Sequence, residues 1–240
     1  LGLSLSDFLK TYDKPKEVKT DIILKQNLPG TLGWESFDEL FYVLNECDEY
    51  IVLRNSENIS LDYFKNNRGD IDLLVKDRNR CQYILGDLSC LDSETNKDSR
   101  VSIDDNIVLF ELYEKGQNVF HESFEKYLFK NKIFKGNIPC LPPKLEFYTL
   151  LYHALLFHKN LSKKHRSRIN EIVKNNTDFE EFEELKPSNL IHLLKNYFDE
   201  IKCKFIAPND HLIFFNFNIL QNDNSLIKNN KRIGRLRYYL

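Results

Sequence analysis

GDIDLLV, residues 69–75, sets two aspartates one residue apart at the head of an apolar run. Side chains on a strand alternate faces, so Asp70, Asp72 and Leu74 point one way and Ile71, Leu73 and Val75 the other. Two positions along a strand separate Cα atoms by roughly 6.5–7 Å, and carboxylates at that spacing can converge on metal ions placed between or beside them. Left alone, two like charges beside a core repel each other and raise a pKa, and a divalent cation removes that penalty. The plain alternative is an aspartate pair marking the solvent face of an edge strand.

The flanks favour a site. YIVLR (50–54) reads as a short buried strand, and NSENISLDYFKNNRG (55–69) as a polar connection punctuated by Gly69. RVSIDDNIVLFELYEKG (100–116) reads as a hairpin whose turn is Asp104-Asp105-Asn106. Its second strand carries Glu111 between Phe110 and Leu112, a charge as hard to justify by packing as the aspartates. If that strand lies beside 70–75, three carboxylates face one cleft. An all-oxygen set of this kind suits magnesium or manganese, which leave coordination positions for substrate phosphates.

Elsewhere the apolar period is helical. Trp34, Phe37, Leu40, Phe41, Leu44 and Cys47 form one stripe, as do Cys81, Ile84, Leu85 and Leu88, the latter interrupted by Gly86. Phe120, Phe124, Tyr127 and Leu128 make another. Pro142 and Pro143 are placed to open a helix over KLEFYTLLYHALLFHK (144–159), apolar nearly all round and so buried among others. Helical patterns continue through residues 180–201, and QNDNSLIKNNK (221–231) reads as a mobile, linker-like stretch. The expected organisation is an arm over 1–33, a core over 34–138 with a mixed sheet and flanking helices, and a helical region over 139–240. The fold class is α+β.

Composition narrows the function classes. The 240 residues are 42% apolar and 29% charged, with a net charge of −2, so nothing global points to nucleic acid as a partner. No apolar run is long enough for a transmembrane helix, and LGLSLSDFLK lacks the basic start of a signal peptide. Five cysteines, odd in number and with no C-x-x-C pair, argue against a disulfide scaffold and fit a reducing compartment, with the cytoplasm as the expected location. The chain begins with leucine and contains no methionine, which reads as an excised or processed piece. No G-x-S-x-G or P-loop is present.

The succession YIVLRNS, GDIDLLV and VLFEL resembles the core pattern of the DNA polymerase β-like nucleotidyltransferase superfamily. The resemblance runs from residue 34 to about 160, and its nearest flavour is that of uncharacterised bacterial-type nucleotidyltransferases associated with surface-polysaccharide biosynthesis, often one domain of a larger chain. It implies a nucleotidyltransferase-like sheet and transfer of a nucleotidyl group from an NTP to a small-molecule or sugar-type hydroxyl or phosphate. Asp70, Asp72 and Glu111 would be the metal-binding and catalytic acids. Arg54, Asn55, Ser56 and Gly69 would lie at the triphosphate, together with Lys159 from the helical region. The family's Gly-Gly or Gly-Ser pair after the first strand is here Arg54-Asn55-Ser56. Arg54 can meet a phosphate as a bidentate donor or form a structural ion pair with an aspartate, and both remain open. That departure keeps a degenerate, scaffold-like domain as an alternative, and the nucleotidyltransferase half of a toxin–antitoxin pair as another. His153 reads as a hydrogen-bonded core residue or as part of a wall of the cleft, and His158 as a core residue. The basic runs 158–168 and 228–240 read mainly as solvated faces.

Overall fold

A computed structural model describes residues 30, 33–66, 69–86, 98–117, 119–158, 161–175, 187–207, 215–216 and 226–227. The protein is a mixed α+β chain with a six-stranded mixed sheet and, among the described residues, seven helices. It divides into two compact units. One comprises residues up to Glu114 together with Phe134–Cys140, and the other Lys115–Ile133 together with the chain from Leu141. The chain therefore crosses between units three times, whereas the sequence places one change near residue 138. Of the expected arm over 1–33, only Gly30 and Gly33 lie among the described residues.

The first unit holds helix α1 (Phe37–Cys47), β1 (Tyr50–Val52), a 3₁₀ turn (Ser56–Asn58), α2 (Leu61–Asn66), β2 (Asp70–Val75), α3 (Arg78–Leu85), β3 (Asp98–Ile103), β4 (Asn106–Glu114), and the pair β5 (Ile133–Lys135) and β6 (Ile138–Cys140). The strand order is β3-β4-β2-β1-β6-β5. β2 runs parallel to β4 and antiparallel to β1, and β1 runs parallel to β6. β1 and β2 are therefore interior strands, which is why both read as continuous apolar runs rather than alternating ones. Ile71, Leu73 and Val75 of β2, with Val108, Phe110 and Leu112 of β4, face the main core, where they join Leu40, Phe41, Leu44, Cys81, Ile84 and Leu85.

Local signals set the ends. Ser36 caps α1 by accepting from the Glu39 N–H at 3.1 Å, and Glu39 reaches back to the Glu35 N–H at 2.8 Å. The β3–β4 turn is the expected one, with Asp104 and Asp105 both left-handed at φ 47° and 58°. α3 stops at Gly86, which is left-handed at φ 85°, so the expected stripe ends at Leu85 and Leu88 lies outside the described residues.

Several expectations change. Trp34 is not part of α1. It bridges to Ile103, its N–H donates to Ser102 O at 2.9 Å, and its indole donates to Leu85 O at 3.2 Å. A helical period had absorbed a residue buried for a different reason. The connection 55–69 contains the 3₁₀ turn and α2. β3 begins at Asp98, two residues before the hairpin read from the sequence, and β5 and β6 had no sequence signal because their only apolar alternation is too short to register.

The second unit contains α4 (Glu122–Lys130), α5 (Pro143–Leu156), α6 (Lys163–Lys174), α7 (Pro187–Glu200), β7 (Phe205–Ile206) and β8 (Leu226–Ile227). α5 is buried on nearly every side, as its all-round apolarity requires. Its Tyr152 sits among Phe120, Phe124, Phe198 and Phe205, with its hydroxyl donating to Ile206 O at 3.1 Å. Leu226 and Ile227 pair with Phe205 and Ile206, so the stretch read as linker-like holds a strand.

Candidate active site

β2 and β4 pair in parallel with Asp70 opposite Leu109, Asp72 opposite Glu111 and Leu74 opposite Tyr113. The condition set by the sequence is thus met: Glu111 lies directly across from Asp72 on the face away from the main core. One carboxylate oxygen from each of Asp70, Asp72 and Glu111 lies within 4.8 Å of the other two. The three differ in exposure. Asp70, at the strand's open end, is exposed, Glu111 is half-buried, and Asp72 is 3% exposed.

Burial dominates their electrostatics. It pushes the Asp72 carboxyl up, with Asp70 adding to the rise and Arg54 opposing it. Glu111 is pushed up to about 7, first by burial and then by the Asp72 charge. At Asp72 the Arg54 attraction outweighs the Asp70 repulsion, so the load left is the burial of carboxylate charge, which a divalent cation relieves.

Among the described residues, Arg54 is the one cation paired within the cluster. The Leu53 N–H donates to Asp72 O at 2.9 Å, continuing the β1–β2 ladder, so the next residue emerges beside Asp72. The Arg54 guanidinium ion-pairs with the Asp72 carboxylate and lies 3.5 Å from the Tyr113 hydroxyl. Burial works against the Arg54 charge, but Asp72 and the neighbouring Tyr113 and Glu111 outweigh it and hold its pKa above the ordinary value. This ion pair is one of the two roles the sequence left open for Arg54.

The turn after β1 accounts for the missing glycine. Asn55 is left-handed at φ 58°, ψ 28°, a conformation that asparagine tolerates better than other non-glycine residues. Ser56 then opens the 3₁₀ turn, 6% exposed, and Lys135 Nζ of β5 donates to its Oγ at 3.0 Å. Lys135 also lies 3.8 Å from a Glu57 oxygen. Gly69 immediately precedes β2. Lys159 lies outside the described residues.

Sequence reasoning missed two contributors. Tyr113 was legible in principle, since it stands two residues beyond Glu111 and so on the same face. Lys135 was not, because 79 positions separate it from Ser56. A separate open depression lined by Asn45, Asp48, Lys76, Asp77 and Arg80 lies beyond Val75, at the other end of β2. Asp77 is occupied there as the cap of α3, accepting from the Arg80 N–H at 3.0 Å.

The donor set fits a hard divalent cation: three carboxylates, all oxygen, on two rigid neighbouring strands. Among the described residues, no helix is long and apolar enough to cross a membrane. Comparisons with family models, curated proteins and solved structures give no match for this chain.

Proposed function

We propose that the first unit is a magnesium-dependent nucleotidyltransferase, acting from an NTP onto a hydroxyl or phosphate of a small-molecule or sugar-type acceptor. The observation that carries this reading is the meeting of Asp70, Asp72 and Glu111 across parallel strands, with oxygens no more than 4.8 Å apart. Asp70, Asp72 and Glu111 would hold the magnesium. Bound there, it supplies charge neutralisation for the triphosphate, the main requirement of phosphoryl-type transfer.

The chain's own groups supply the rest. The left-handed turn at Asn55, with the Ser56 hydroxyl and Lys135 ammonium beside it, offers donors of the kind that orient a phosphate. Glu111, directly across from Asp72, would help activate the acceptor hydroxyl, as a ligand of the ion or directly as a base. Arg54 holds the Asp72 carboxylate in place before substrate arrives, its guanidinium also donating to the Tyr113 hydroxyl.

The Arg54–Asp72 ion pair favours a second reading, a domain of this fold that binds a partner and turns nothing over, because a cation already occupies one acid. Titration calorimetry of the full chain with ATP, CTP, GTP and UTP plus magnesium separates the two. Magnesium-dependent binding of at least one NTP, with pyrophosphate release that Asp72→Asn abolishes, supports the enzyme. Binding of none of the four leaves the scaffold.

A further inference from the structure

We propose that the second unit carries a transition-metal site, zinc foremost, formed by His153, His158 and His165. His153 stands in the last turn of α5, His158 two residues past its end, and His165 in the first turn of α6. The three are half-buried, and one ring nitrogen from each lies within 4.8 Å of the other two. Ring centroids are 4.9 Å apart for His153–His158, 4.7 Å for His158–His165 and 5.6 Å for His153–His165. The interplanar angles of 74°, 54° and 85° leave no pair stacked face to face. The rings therefore present edges to one another, and imidazole nitrogens lie on edges.

Imidazole is a borderline ligand that suits zinc, copper or nickel rather than magnesium. A tetrahedral zinc with nitrogens at about 2.0–2.1 Å holds them roughly 3.3 Å apart, so each ring here needs a shift of about an ångström or less. Three protein nitrogens leave a fourth position for water. The fixed charges divide. The carboxyl end of α5 favours a cation, whereas Lys163, Lys164 and Arg166 oppose one, but these three are exposed and act through water. The ion would tie the end of α5 to the start of α6, which among the described residues no disulfide or strand pairing does. This site uses a different donor chemistry from the acidic cluster and stands or falls without it.

The test uses the full chain, stripped with chelator and then titrated with zinc and with cobalt(II). With millimolar magnesium present to keep the acidic cluster filled, one equivalent per chain is expected, with visible cobalt bands of a four-coordinate nitrogen-rich site. His158→Gln and His165→Gln should each weaken binding at least 100-fold, and Asp70→Asn should leave it unchanged. A cobalt spectrum retained in both histidine variants, or lost in Asp70→Asn, overturns the proposal, as does heat from inorganic phosphate with none from zinc. Should the variants not fold, diethylpyrocarbonate modification of the wild-type chain decides. Zinc should protect His153, His158 and His165 but not His121 or His192, and equal modification of all five overturns the site.

Discussion

Replacing Arg54 with methionine isolates the electrostatics of the acidic cluster. The change keeps much of the side chain's bulk and removes the charge paired with Asp72. Removing one partner of a buried ion pair costs about 3–5 kcal/mol. A ceiling comes from proton uptake: Asp72, ordinarily at 3.8, can escape by protonating. That escape costs about 4 kcal/mol at pH 7 and about 2 kcal/mol at pH 5.5. The variant should therefore lose about 3–4 kcal/mol at pH 7 and only about 2 kcal/mol at pH 5.5. The sign follows from linkage. Without Arg54 the folded state holds a proton that the unfolded state releases above about pH 4, so stability falls as pH rises. If the acids hold magnesium, millimolar magnesium chloride should recover part of the loss at pH 7. Trp34 makes the measurement specific. It is the chain's one tryptophan, 3% exposed and within the first unit, so its fluorescence in urea reports that unit's unfolding. A loss below about 1 kcal/mol, or one equal at the two pH values, would refute the reasoning.

Glu111→Gln should stabilise the metal-free protein at high pH. A carboxyl raised from 4.5 to about 7 contributes stability that is present below pH 4.5 and lost as pH rises through about 7. The variant should therefore exceed wild type by roughly 1–3 kcal/mol at pH 8 and match it near pH 4.5, read by the same Trp34 titration; no difference at pH 8 rejects the raised pKa. Gly86→Ala meets both a left-handed φ of 85° and the Gly30 carbonyl oxygen, 2.1 Å from the added Cβ. Gly116→Ala meets φ 86° with nothing within 4 Å. The first should cost clearly more than the second, whose penalty is about 1 kcal/mol, by chemical denaturation followed by circular dichroism. Glu125 is fully buried, and both its oxygens accept from the Gly116 N–H at 3.1 Å. Glu125→Ala should cost about 2–4 kcal/mol in thermal unfolding, from the orphaned N–H and the cavity together.

Some of this molecule is written locally. The Asp104-Asp105 turn, the Ser36 cap, the Pro143 start of α5 and the buried runs of β1 and β2 each depend on neighbours within a few residues, so side-chain period and turn chemistry suffice to read them. Asp70 and Asp72 were legible for the same reason: charges at alternate positions of an apolar strand must share a face.

What lay beyond the sequence is every relation between distant segments. That Glu111 stands opposite Asp72 depends on the parallel register of β2 and β4, which no local pattern specifies and a one-residue slip would turn to the other face. Lys135 reaches Ser56 only because β5 and β6 extend the sheet beyond β1, and Arg54 meets Asp72 only because the β1–β2 ladder continues to Leu53. His165 of α6 comes within reach of His153 and His158 only in the folded chain. The residues themselves supply donors and charges at known positions along the chain. Only the packing of strands and helices brings them within a few ångströms, where charge repulsion and metal coordination act.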